Sequence, residues 1–197
     1  MRSSIILICL LFGIITTAVI ACTNATDNKE TTAKKPLDST ALVARGKYLV
    51  STIGCDDCHS PKRMGAHGPE LIPELRFSGF QQNGQLPPVD TTQIAKGWIL
   101  FAPDLTSAVG AWGASYSANI TSDSTGIGNW TEENFFLSMR EGKAKGLANN
   151  RPLLPPMPWQ NFKNLEDEDL KAIFAYLKTT PPVKNVVPAP KPLAALK

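Results

Sequence analysis

The run Cys55-Asp56-Asp57-Cys58-His59 constrains this chain more than any other five residues. It is a C-x-x-C-H motif, the spacing of covalent c-type haem attachment. Two thiols must reach the two vinyl groups on one edge of a porphyrin, and the next residue must place an imidazole under the iron as proximal ligand. Two intervening residues make a turn short enough to bring both sulfurs to the same ring edge. The rest of the sequence then reads as the apparatus that delivers, wraps and tunes one covalent haem c.

Cysteine usage removes the competing chemistries. Of four cysteines in 197 residues, Cys9 lies in an N-terminal apolar run, Cys22 ends that run, and Cys55 and Cys58 belong to the motif. None is left for a structural disulfide or a free nucleophile. A zinc site would want further Cys or His ligands, and His67 is the one other histidine. A thioredoxin-like redox pair would want a βαβ context, which the pattern does not show. The net charge of +3 and a charged fraction of 19% include no dense Lys/Arg block, so no nucleic-acid partner is expected.

The chain divides into four parts. Met1 to Ala21 reads as an export signal, with Arg2 as its positive start and an apolar stretch from Ile5 to Ile20. Val19-Ile20-Ala21-Cys22 resembles a bacterial lipoprotein box, so residues 1–21 are expected to be a lipoprotein signal peptide and Cys22 the lipidated mature N-terminus. Residues 22–38, almost without apolar side chains, form a flexible tether. Residues 39–182 form the haem domain, and residues 183–197, rich in Pro, Ala and Lys, a disordered tail.

Three helices are legible in the domain. Asp38 or Ser39 caps the first, whose stripe Leu42, Gly46, Leu49, Val50 and Ile53 runs directly towards Cys55. Gly46 lets another helix cross closely. Thr131 caps the second, with Glu132 and Glu133 in its first turn, Phe135, Phe136 and Met139 on its buried face, and Gly142 as its stop. Asn164 caps the third, whose stripe is Leu170, Ile173, Phe174 and Leu177, and Pro181-Pro182 end it. Residues 60–130 carry repeated Pro and Gly and read as long loops around the haem, with short helical or strand pieces near 91–101. The fold class expected is all-α.

The sixth iron position has four sequence candidates: Met64, His67, Met139 and Met157. Met139 falls on an apolar helix face, where packing explains it. Met64 and His67 follow His59 too closely to pass round a porphyrin. Met157 sits in no helical stripe, and prolines at 155, 156 and 158 stiffen its backbone, which lowers the entropy lost in presenting its sulfur. Met157 is therefore expected opposite His59. Arg151, Trp159 and Trp130 are the loop donors expected to reach the propionates. His/Met ligation raises the reduction potential and fills both axial positions, which favours electron transfer over catalysis. The alternative is a haem enzyme, or a peroxide or gas sensor, whose sixth ligand is displaced.

The order helix, C-x-x-C-H, middle helix, proline-flanked Met, closing helix resembles the class I cytochromes c. Gly46-Lys47-Tyr48-Leu49-Val50 looks like the start of many such domains. Asn119-Ile120-Thr121, Thr125 to Thr131, Leu154 to Trp159 and Leu165 to Asn185 are similar to segments of the cytochrome subunits of bacterial periplasmic alcohol, aldehyde and sugar-acid dehydrogenases. The resemblance covers most of 40–186. It implies terminal helices crossing near the haem, with Gly46 and Tyr176 at the crossing and His59 and Met157 on opposite sides of the iron. Those subunits carry three haem motifs and this chain has one. The reading is of a lipid-anchored, periplasm-facing electron carrier of the bacterial envelope. Its expected redox partners are a dehydrogenase, a quinol-oxidising complex or an oxidase.

Overall fold

The computed structural model describes residues 38–196. The expected signal peptide, the lipidated Cys22 and nearly all of the tether lie outside the described residues. Helix α1, Ser39–Thr52, starts where Asp38 accepts the Ala41 amide at 2.8 Å. It stops at Ile53, before the motif. Gly54 then turns through a left-handed conformation (φ 77°), and Cys55–His59 form a separate short helix, α2. That break changes the direction of the chain, so the motif is not a continuation of α1.

Helix α1 packs against the closing helix α6, Asp167–Lys178, in the largest interface between elements of the described residues. At their crossing a Cβ on Gly46 would strike the Ala172 carbonyl and approach the Tyr176 Cβ to 2.7 Å. The two backbones can touch only because position 46 has no side chain. Leu49 and Val50 of α1 meet Leu170, Ala172, Ile173, Tyr176 and Leu177 of α6. Phe135 and Met139 join them from helix α4, Glu132–Glu141, and Phe77 and Ile127 from the intervening loops. Arg45 locks the helix pair at its rim, donating to both carboxylate oxygens of Asp169 at 2.9 and 3.1 Å. The caps of α4 are those its sequence demands: Thr131 and Asn134 exchange bonds in a capping box, and Gly142 ends the helix with φ 64°. After the short helix α5, Trp159–Phe162, the closing helix begins from Glu166 rather than Asn164, whose side chain lies near the Gln160 carbonyl at 3.5 Å.

The all-α expectation is corrected by the middle of the chain. Strands β1, Lys62–Gly65, and β2, Gly68–Leu71, form one antiparallel hairpin. After the short helix α3, Thr91–Ala95, strands β3, Leu100–Phe101, β4, Ser107–Gly110, and β5, Gly113–Tyr116, form a second antiparallel sheet in that order. The second sheet has its own small core of Ile94, Val109 and Ala114, edged by Leu86, Val89, Leu100, Tyr116, Leu193 and Leu196. These strands escape pattern reading for physical reasons. None exceeds four residues, and all of Ser107–Gly110 is buried, so no inside–outside alternation exists to be read.

The tail is not disordered in the described residues. Ala114 and Lys191 exchange backbone hydrogen bonds of 2.8 and 3.1 Å, which lays the tail beside β5. Asn185, 1% exposed, donates to the Ser78 and Phe80 carbonyls at 2.7 and 2.9 Å and accepts the Gln82 amide at 2.8 Å. Asn119 donates to the Val183 carbonyl at 2.8 Å. Two asparagines thus do the fastening that an apolar stripe does elsewhere, and the side-chain polar atoms of both find partners. No helix of the described residues is long and apolar enough to cross a membrane.

Gly46→Ala is expected to destabilise the protein by about 1–3 kcal/mol through overpacking at the crossing. Denaturant unfolding of the two proteins side by side measures this, and an unchanged midpoint would refute the close approach.

Candidate haem site

The attachment turn is built on polar contacts. Cys55, Cys58 and His59 lie on the single turn α2, and the two cysteines are free thiols. Ser60, fully buried, donates its hydroxyl to Asp56 at 2.7 Å and accepts the Phe77 amide at 2.9 Å. Asp56 also takes a forked pair of bonds from Arg76, at 2.9 Å from Nε and 2.6 Å from Nη2. Arg76 lies over the Phe77 ring, its guanidinium carbon 4.4 Å from the ring centre, and reaches the Tyr176 hydroxyl at 3.5 Å. The turn is thereby tied both to the following loop and to α6.

His59 is oriented by a main-chain acceptor. Its Nδ1 lies 2.8 Å from the Ala118 carbonyl oxygen. A carbonyl only accepts, so Nδ1 carries the proton and Nε2 keeps a free lone pair for a metal. Desolvation of the ring lowers the His59 pKa below its ordinary value, against the opposing pull of that bond and of Asp56. The neutral, ligating form is the one favoured.

The thiols are driven the other way. Burial, helped by the negative charges of Asp56 and Asp57, pushes the Cys55 thiol up to about 12. Cys58 is raised by burial and by Asp57, with Lys62 pulling against them. Both sulfurs therefore stay protonated near neutral pH, as thiols rather than thiolates.

The four candidates for the second axial position separate clearly. Met64 is 69% exposed on the β1–β2 hairpin, and His67 is exposed in its turn. Met139 is buried within the main core. Met157 is half-buried and packs on the edge of that same core, as Cys55 does. Its loop is held by a residue that sequence reasoning missed: Ser115 of β5 donates its hydroxyl to the Pro155 carbonyl at 2.6 Å. Trp159 packs its indole over Gly142, and Trp130 borders the core. Arg151 is exposed and donates to the neighbouring Pro152 carbonyl at 2.8 Å.

Two free thiols one helical turn apart, an imidazole with Nε2 released, and a thioether on the same core form a donor set that fits a covalent haem. Similarity to known proteins agrees. The cytochrome c family model matches residues 43–181, and the chain belongs to that family. It is 42% identical over 152 residues to a nicotinate dehydrogenase component of Pseudomonas putida, covering 77% of this chain and 10% of that protein. It is 31% identical over 151 residues to the fructose dehydrogenase cytochrome subunit of Gluconobacter japonicus, covering 76% of this chain and 23% of the relative. It is 42% identical over 137 residues to the cytochrome c subunit of a quinone-dependent alcohol dehydrogenase of Gluconobacter oxydans, covering 69% and 21%. The chain therefore spans less than a quarter of these relatives' lengths. Family membership implies covalently bound haem c and a role in electron transfer rather than catalysis.

Two outcomes test the polar framework. Burial acts to raise the Asp56 pKa, but the bonds from Arg76 and Ser60 and the charges of Arg76 and Lys62 outweigh it and hold the carboxyl below its ordinary value. A depressed carboxyl stabilises the fold above its unfolded pKa and loses that contribution as pH falls through the folded one. With Arg76 partly solvated, the contribution is about 1 kcal/mol, present above about pH 4 and vanishing in more acid solution. Asp56→Asn is expected to be less stable by that amount at neutral pH and to show a flatter acid limb in urea titrations. Ser115→Ala is expected to cost about 1 kcal/mol of stability. The same variant frees the Met157 loop, which thermal melts and loop amide exchange, read together, will detect.

Proposed function

We propose that this chain is a single-haem electron carrier of the bacterial envelope. Cys55 and Cys58 form the thioether links, and His59 and Met157 are the axial ligands. Arg151 and Trp159, on either side of Met157, supply donors towards the propionates. Cys22 carries the lipid anchor that holds the domain at a membrane surface on the periplasmic side. The observation that carries the reading is the bond between His59 Nδ1 and the Ala118 carbonyl, which leaves Nε2 free to bind a metal.

When bound, the haem supplies a one-electron iron couple. The chain's residues attach it, exclude water from it and keep its ligands in place. With a thioether on the second side, the couple lies higher than with two imidazoles, and the same ligands serve both oxidation states. No open iron position is then available to a substrate. The relatives named above are components of dehydrogenases, and one is a quinone-dependent alcohol dehydrogenase. Their similarity supports a dehydrogenase as electron donor. A quinol-oxidising complex is the alternative donor, and an oxidase or another cytochrome is the acceptor on the other side of the relay.

Optical spectra of the purified holoprotein test this reading. The expected result is low-spin iron with a methionine sulfur-to-iron band, lost in Met157→Ala together with a fall in reduction potential. The variant should also bind carbon monoxide when reduced, while the wild type resists it. High-spin iron in the wild type would overturn the Met157 assignment and favour a haem enzyme or gas sensor.

A further inference from the structure

Lys62, the first residue of β1, folds its ammonium back against the attachment turn. Nζ donates to the carbonyl of Asp57 at 2.7 Å and to that of Ser60 at 3.0 Å. It also meets the carbonyl of Asp56 at 3.3 Å and that of Asp104 at 3.1 Å. Three N–H groups are thus shared among four main-chain oxygens. Three of those oxygens lie at the C-terminal end of α2, where a helix has carbonyls without internal partners and the negative end of its dipole. Asp57 and Ser60 stand on the two sides of His59 in the chain. Asp104 belongs to the segment leading into β4, in the sheet whose neighbourhood supplies Ser115 and the Ala118 carbonyl.

We propose that Lys62 is a positioning residue for His59 and that its fixed charge helps set the iron's reduction potential. The inference rests on the reading of Cys55, Cys58 and His59 as the haem-binding residues. Two physical effects support it. The ammonium pins the backbone on both sides of His59 and ties it to the sheet segment, so the imidazole is held at its main-chain root as well as at Nδ1. A cation held close to the turn also favours the reduced state, because gaining one electron takes iron(III) to iron(II) and lowers the positive charge of the site by one. Arg76 is already engaged by the Asp56 carboxylate. Lys62 donates to main-chain oxygens and makes no ion pair among the described residues, and the Asp56 carboxylate feels its charge without direct contact.

The test compares wild-type holoprotein with Lys62→Met, Lys62→Gln and Lys62→Arg in a mediated redox titration. At a fixed ambient potential, Met and Gln are expected to lower the reduced-to-oxidised ratio about tenfold, which is about 59 mV for a one-electron couple. Arg, which keeps the charge, should stay within about twofold of wild type. The neutral variants should also shift the methionine sulfur-to-iron band, reporting a change in ligation. Haem-loaded Met and Gln variants with an unchanged ratio and band would overturn the proposal.

A second measurement needs no neutral variant to fold. In ¹⁵N spectra of the reduced wild type, the Lys62 ammonium should exchange its protons more slowly than surface lysines. Lys178 also meets main-chain carbonyls, of Ile127 and Gly128, so the Lys62 signal is assigned by its loss in Lys62→Arg. Exchange as fast as the surface lysines would overturn the proposal. Failure of the wild type to carry haem at all would overturn both this inference and the haem-site reading. A haem-loaded wild type with unresponsive Lys62 variants overturns this one alone.

Discussion

The hydrogen bond between His59 Nδ1 and the Ala118 carbonyl is the contact on which the rest of the site depends. It decides which ring nitrogen is free, and it joins the attachment turn to the residues that follow β5. The same strand holds the other side of the site, because Ser115 donates to the Pro155 carbonyl of the Met157 loop. The strand and the two residues after it therefore stand behind both proposed ligands. A main-chain carbonyl suits the orienting role, since it cannot donate and cannot titrate.

This explains why a sheet occurs in a domain whose hydrophobic core is helical. Helices α1, α4 and α6 supply nearly all of the main core. Their packing stabilises the domain but does not by itself orient an imidazole or a thioether. The loop and sheet segments between them contribute few core side chains and many directional bonds. Stability and ligand geometry are thus carried by different parts of the chain, and a substitution at the helix crossing and one in the sheet perturb different properties.

The legibility of the sequence follows the same division. The motif, the three long helices, the crossing glycine and the caps at Asp38, Thr131 and Gly142 could be read because each has a fixed local signal: a 3.6-residue stripe, a side-chain acceptor or a left-handed stop. The sheets could not, because strands of two to four residues are shorter than the pattern needed to recognise them. The ordered tail was missed for another reason. Its fastening is by Asn185 and Asn119, polar residues that composition assigns to solvent and that here make buried bonds over long sequence separations. Met157 could be singled out by its prolines, whereas Ser115, which holds its loop, carries no signal distinguishing it from any other serine.

The electrostatics of the attachment turn show why the basic residues around it were hard to recognise in the sequence. Two carboxylates lie between the cysteines; after burial, both of them raise the Cys55 thiol and Asp57 raises that of Cys58. Left alone, Asp56 would be a poorly solvated negative charge against the site. Arg76 answers it through side-chain bonds, and Lys62 answers the adjoining helix end through main-chain oxygens. In sequence these are two ordinary cations in a loop-rich stretch of a mildly basic chain. Their role arises only when the chain returns to the turn, one from the hairpin immediately after the motif and one from twenty residues beyond Asp56. The short spacing of the motif identifies the haem chemistry, while the residues that regulate it are specified by tertiary contacts.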